Sequence, residues 1–61
     1  MRVVFGVRDG AVVGIGERGR RWRVTRAACG WRLDFRDAGD TRPTYAGTFR
    51  SLEVAMLEAC R

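Results

Sequence analysis

The chain has 61 residues, twelve of them Arg and seven Asp or Glu, which gives a formal net charge of +5 at pH 7. A chain this short hides only about 60% of its unfolded surface, so it forms one small domain at most, and its positive excess favours a polyanionic partner. The sequence holds no His, no Lys and one Ser, which removes most side chains used in acid–base and nucleophilic catalysis and predicts that the protein is not an enzyme.

The chain opens on two apolar, β-branched runs, residues 3–7 and 11–15, which are joined by Arg8-Asp9-Gly10. Asp-Gly between two such runs is a strong signal for a β-hairpin. We therefore predict an N-terminal hairpin with a two-residue turn at Asp9-Gly10.

Both faces of this predicted hairpin carry apolar side chains. The two-residue turn places Val7 opposite Val12 on one face and Val4 opposite Ile15 on the other. A sheet that is wetted on one side would alternate apolar and polar side chains. This hairpin is therefore expected to be covered on both sides, by a helix and by a second copy of the chain.

The next segment, Gly14-Ile15-Gly16-Glu17-Arg18-Gly19, matches the glycine pattern of a dinucleotide-binding fingerprint. That fingerprint needs a helix to begin at these glycines, inside a βαβ unit of about thirty residues. The residues that follow alternate as a strand instead. We interpret Glu17–Arg20 as a polar link between two strands.

Three clearer strands follow, at residues 21–26, 31–36 and 44–49. In the first two, apolar and polar side chains alternate, which is typical of a strand with one buried face and one exposed face. The inward set consists of Trp22, Val24, Trp31, Leu33 and Phe35.

A single helix is predicted at the end of the chain. Ser51 is a natural N-cap, and residues 52–60 contain no Gly and no Pro. The face that would lie on the sheet consists of Leu52, Ala55, Met56, Ala59 and Cys60, whereas Val54 and Leu57 fall on the side that meets water. The fold expected for residues 1–61 is α+β, an N-terminal β-hairpin plus a three-stranded antiparallel sheet packed on one C-terminal helix.

The outward residues of the two alternating strands are the most informative feature. They are Arg21, Arg23, Arg32, Asp34 and Arg36. Strands hold side chains in rows, and rows of guanidinium groups bind phosphates and read guanine edges bidentately. A solvated face, in which Asp34 pairs with a cross-strand arginine, is the alternative interpretation.

Cofactors and membrane attachment are not expected. No Cys or carboxylate cluster has metal-ligand spacing, and Cys29 and Cys60 lack the spacing of a redox pair, so both are interpreted as free thiols. No stretch approaches the roughly 18 apolar residues of a membrane span, and no signal peptide is evident. A cytoplasmic protein without a metal is therefore predicted.

Three stretches of the sequence carry a resemblance to a known family. They are Trp31-Arg-Leu-Asp34-Phe-Arg36-Asp37, then Tyr45-Ala-Gly47-Thr48-Phe49, and a helix start at Ser51-Leu-Glu-Val-Ala-Met. In this order and at this separation, residues 23–61 resemble the AP2/ERF type of DNA-binding domain, related forms of which occur in phage integrases and homing endonucleases.

The resemblance implies a three-stranded sheet that enters the DNA major groove with one helix packed behind it. It assigns DNA contacts to Arg36, Asp34 and Tyr45 on the second and third strands of the motif. On the first strand it assigns them to Arg21, Arg23 and Arg26. The N-terminal hairpin has no counterpart in the family pattern.

Two hypotheses of function result. The first is binding of nucleic acid, as double-stranded DNA, by a homodimer through a face of arginines. The second is a small homo-oligomeric protein-interaction module, whose interface residues would be Val4, Val12, Ile15, Val54 and Leu57.

Overall fold

The computed structural model describes residues 3–16 and 18–61 of the chain. In this part of the chain, antiparallel strands form one sheet in sequence order, and a single helix follows them. The elements are β1 (Val3–Arg8), β2 (Ala11–Gly16), β3 (Arg21–Ala27), β4 (Gly30–Arg36), β5 (Thr44–Phe49) and α1 (Leu52–Ala59).

The N-terminal hairpin forms as predicted. Asp9 has φ 51° and Gly10 has φ 76°, so both central residues of the turn have positive φ, as a type I′ turn requires. The strands pair in the expected register, with Val7 opposite Val12 and Val4 opposite Ile15. The Asp-Gly turn therefore sets which side chains share each face of the sheet.

The predicted strand count of the sheet is wrong, because the sheet has five strands and not three. The hairpin is continuous with the rest, since Val12 and Gly14 of β2 pair with Val24 and Trp22 of β3. The α+β class and the C-terminal helix are confirmed.

A tight turn between β2 and β3 explains the continuity. The amide of Gly16 donates to the carbonyl of Arg20 over 2.9 Å, and the amide of Gly19 donates to the carbonyl of Gly16 over 3.0 Å. β2 therefore leads directly into β3, and consecutive antiparallel strands pair. A strand follows these glycines, as predicted, while Glu17 of the predicted link lies outside the described residues.

The core lies between α1 and the neighbouring face of the sheet. Val24 and Leu33 have no exposed surface, and the rings of Trp22 and Phe35 lie 5.2 Å apart between centroids. The helix meets this layer with two buried alanines, Ala55 and Ala59. Small side chains bring the helix close to the sheet, so the arginine-bearing strands have a packed support behind them.

The helix begins as predicted. The hydroxyl of Ser51 accepts a hydrogen bond from the amide of Val54 over 3.2 Å, which caps the first turn. Leu57 is exposed, as expected, and Val54 is half-buried. No helix formed by the described residues is long and apolar enough to span a membrane.

One glycine is required where the chain turns between β3 and β4. Gly30 has φ 138°, and a Cβ atom there would collide with the backbone oxygen of Phe49. The close approach packs the start of β4 against the end of β5. β5 itself carries an irregularity opposite Leu33 and Asp34, where the pairing register shifts.

Candidate nucleic-acid interface

The sheet has one face against α1 and an opposite face that we call the open face. Its members follow from the strand registers, because side chains alternate between the two faces of a strand. From β1 to β5, the open face carries Val4, Gly6, Arg8, Ala11, Val13, Ile15, Arg21, Arg23, Thr25, Arg32, Asp34, Arg36, Tyr45 and Thr48.

The arginines of β3 and β4 form a compact group on this face. Arg21 pairs directly with Arg36, and Arg23 pairs with Asp34. Neighbouring same-face residues of a strand lie about 7 Å apart, and adjacent strands about 4.8 Å apart. Like charges directly opposite each other destabilise a sheet, so the Arg21–Arg36 pair is a position that a bound anion would relieve.

Arg32 differs from the other arginines of the group because its side chain is already held. Its Nε atom lies 3.1 Å from Oδ1 of Asp34, and its guanidinium carbon lies 5.0 Å from the centre of the Tyr45 ring. The Tyr45 hydroxyl in turn lies 2.7 Å from the hydroxyl oxygen of Thr48. Asp34 and Tyr45 therefore orient Arg32 rather than standing free on the surface.

The remaining arginines of the open face border a shallow groove of about 490 Å³. Val13 and Ile15 of β2 form its apolar side, and Arg21, Arg23 and Arg36 form its cationic side. Arg8, Asp9 and Asp34 also line the groove. Among the described residues, Arg21, Arg23 and Arg36 make no salt bridge. Their donors are therefore accessible from the groove.

Six of the seven predicted contact residues lie on the open face, and Arg26 does not. The strand continues without a bulge from Arg21 to Ala27, so the alternation sends Arg26 to the helix side, paired with Trp31. Its guanidinium carbon lies 5.1 Å from the centre of the Trp31 ring. Arg26 therefore stacks on an aromatic side chain on the face opposite the groove.

The predicted interface residues do not form one surface. Val4 and Ile15 lie side by side on the open face, where they are 71% and 60% exposed. Val12 lies on the helix side of β2, since it pairs with Val24 of the core. Val54 and Leu57 belong to α1.

An ion pair that the sequence analysis missed braces one end of the arginine group. The guanidinium of Arg20 donates to both carboxylate oxygens of Asp37, at 2.7 Å and 3.0 Å, and its carbon lies 4.0 Å from the centre of the Phe35 ring. Arg20 precedes Arg21 and Asp37 follows Arg36 in the chain. Arg20 and Asp37 flank the Arg21–Arg36 pair, so a correct prediction of that pairing would have placed Arg20 beside Asp37.

The same hydrogen bonds perturb the titration of both groups. Hydrogen bonding from Arg20 lowers the pKa of the Asp37 carboxyl, although partial removal from water opposes the shift. The pKa of Arg20 is raised, chiefly by its hydrogen bond to Asp37. The pair is therefore ionised throughout the neutral range.

The described residues contain no group of three His, Cys, Asp or Glu side chains placed to hold a metal ion. Cys29 is exposed in the β3–β4 turn, and Cys60 is half-buried at the end of α1. No family model, curated protein or solved structure matches the chain. The resemblance to the AP2/ERF type rests on the sequence motifs, and the DNA binding that it implies stays a prediction.

Proposed function

We propose that the open face binds nucleic acid, as double-stranded DNA, and that the protein acts by binding rather than as an enzyme. The observation that supports this most strongly is the pairing of Arg21 with Arg36 next to Arg23, all three exposed and none in a salt bridge with another described residue. Such a group is costly in the free protein and favourable against phosphates. The sequence-predicted cytoplasmic location belongs to the same proposal.

The width of the sheet restricts how DNA is approached. Three strands span about 10 Å between their axes, and five span about 19 Å. The major groove of B-DNA is about 12 Å wide. The segment β3–β5, which carries Arg21, Arg23, Arg32 and Arg36, is therefore the part that enters the groove, and the hairpin β1–β2 stays outside it.

The arginines of the open face have different roles in this arrangement. Arg21, Arg23 and Arg36 have accessible donors and contact phosphates or guanine edges. Arg32 is oriented by Asp34 and Tyr45, so its guanidinium points in a fixed direction. Its charge is already partly neutralised by Asp34 before nucleic acid binds. Loss of Arg32 should therefore weaken binding less than loss of Arg36.

The affinity should depend strongly on salt. If the three accessible arginines each neutralise one phosphate, log K falls with log salt at a slope near −2.7, which is a loss of about fortyfold between 50 and 200 mM. Removing one of them should reduce this slope by about one. The slope therefore counts the arginines that are in contact.

The test is fluorescence anisotropy of a labelled duplex of random sequence, titrated with the protein at low and high salt. Arg36→Ala should weaken binding about fivefold or more and flatten the salt dependence, and Arg32→Ala should have a smaller effect. Arg50→Ala is the matched control, because Arg50 is exposed, lies outside the strands and changes the net charge equally.

Two outcomes would contradict the proposal. Equal losses for Arg36→Ala and Arg50→Ala would mean that net charge, and not the open face, attracts the nucleic acid. The absence of binding at low salt would remove the function altogether. If a single-stranded oligonucleotide bound more tightly than the duplex, the open face would still be the binding surface, but for single-stranded nucleic acid and not for double-stranded DNA.

A further inference from the structure

The outer edge of β1 has backbone groups that no described residue satisfies. The amide of Gly16 donates to Arg20, so even-numbered residues of β2 point their backbone groups towards β3 and odd-numbered residues towards β1. The β1 partners of those odd-numbered residues are Val4, Gly6 and Arg8. Val3, Phe5 and Val7 therefore direct their N–H and C=O groups away from the sheet.

The two edges of the sheet differ in how they are protected. β5 is entered from Pro43, has an irregular register opposite β4, and is followed by the exposed Arg50. Proline, bulges and edge charges are the features that prevent an edge from pairing with another strand. β1 has none of them from Val3 to Val7, and its single charged residue, Arg8, stands at its end. β1 is therefore the edge open to pairing.

We propose that β1 pairs in antiparallel fashion with β1 of a second copy of the chain, which joins the two sheets across a two-fold axis. The register that uses every outward-facing group places Phe5 opposite Phe5 of the second copy. Val3 then lies opposite Val7 of the second copy, and Val7 opposite its Val3. Each outward donor and acceptor of Val3, Phe5 and Val7 is paired in this register.

The side chains fit the same register. On the helix side, every cross-strand pair is apolar, and Val7, which is 81% exposed in the single chain, gains a neighbour. On the open face, Val4 lies opposite Gly6 of the second copy, and a side chain has free space above Gly6. Among the described residues, no charged side chain faces another, because Arg8 would lie opposite Arg2, which is outside the described residues. Residues 3–7 of β1 are therefore complementary to themselves.

Face-to-face association of two open faces is less favourable than edge pairing. It would place the arginines of one copy opposite those of the other, and like charges brought together across an interface are costly. Edge pairing leaves both open faces uncovered. The dimer is therefore compatible with the proposed nucleic-acid binding but does not depend on it.

The test is the mass of the protein in solution, measured by light scattering or sedimentation over a range of concentrations. The unaltered chain should reach twice its monomer mass of 6.9 kDa. Val7→Pro should be monomeric with an unchanged circular dichroism spectrum, because the Val7 amide points outwards and proline removes no hydrogen bond within the sheet. Val7→Lys should also be monomeric.

The matched controls are Ile15→Lys and Leu57→Lys, which replace exposed apolar residues away from the edge and should remain dimers. In the dimer, the amides of Phe5 and Val7 should be protected from hydrogen exchange. The proposal would be overturned if the unaltered chain were monomeric or if Val7→Pro were dimeric. It would also be overturned if only Ile15→Lys or Leu57→Lys abolished the dimer.

Discussion

The two regions of the sheet, β1–β2 and β3–β5, differ in what lies behind them. α1 packs mainly on β3, β4 and β5, and the fully buried side chains Val24 and Leu33 lie in that region. In the hairpin region, Val3, Phe5 and Val12 pack against the edge of the core, but Val7, on the same face, is 81% exposed. One continuous sheet therefore contains a region that α1 supports and a hairpin region that α1 supports little.

The hairpin region is held by its neighbours in the sheet more than by the helix. The Phe5 ring and Val3 pack over Gly14, where an added Cβ would lie 2.7 Å from each of them. This contact, and the pairing of Gly14 with Trp22, attach the hairpin to the core. Arg21, Arg23, Arg32 and Arg36 therefore stand on the part of the sheet that α1 supports, whereas the proposed dimer contact lies in the other part.

Removal of a core side chain should have the largest effect on stability. Leu33→Ala leaves a cavity beneath α1 and should cost about 2–5 kcal/mol, which is comparable to the whole stability of a small domain. Ile15→Ala in the hairpin region should cost less than about 1 kcal/mol, since most of Ile15 is in water. Urea unfolding followed by circular dichroism measures both. Similar losses would mean that Ile15 on the open face is packed as well as Leu33 in the core.

A second comparison concerns the glycines of the two turns. Gly30→Ala should cost about 3 kcal/mol, because the new Cβ meets the Phe49 oxygen in addition to the strain of positive φ. Gly10→Ala, at the hairpin tip, should cost about 1–2 kcal/mol from strain alone, since nothing lies near its Cβ position. Thermal unfolding ranks the two variants. If Gly10→Ala lowered the stability more than Gly30→Ala, the β3–β4 turn would accommodate an added Cβ atom more easily than the hairpin turn.

Local signals in the sequence were sufficient for the elements but not for the way they join. The Asp9-Gly10 turn and the alternation of residues 21–36 predicted the hairpin register and the face of four arginines. The joining of β2 to β3 depends on backbone hydrogen bonds of Gly16 and Gly19, which have no side-chain pattern. All five strands were predicted, but the number joined in one sheet was therefore underestimated.

The candidate site shows the same limit. Arg26 was assigned to DNA by analogy with a strand whose register was not known, and the observed pairing with Trp31 puts it on the other face. The Arg20–Asp37 pair was missed because its members are 17 positions apart. Only the strand register brings such residues together.

The smallest expected effect is a change in the acid sensitivity of the supported region. The pKa of Asp37 is lowered in the folded protein, so its contribution to stability is present above the unfolded value, near pH 3.9, and is lost as pH falls through the folded value. Asp37→Asn should therefore flatten the decline of stability below about pH 4. The effect at neutral pH should be small and reduced by salt, since the pair is exposed to solvent.

Arg20→Gln provides the check on this mechanism. It removes the cation and keeps the carboxyl, so it should flatten the same acid limb, and combining it with Asp37→Asn should add little. Thermal unfolding between neutral and acidic pH measures all three variants. If Arg20→Gln left the acid limb unchanged, the pair would not brace the ends of β3 and β4. The orientation of Arg21 and Arg36 would then depend on the core beneath them alone.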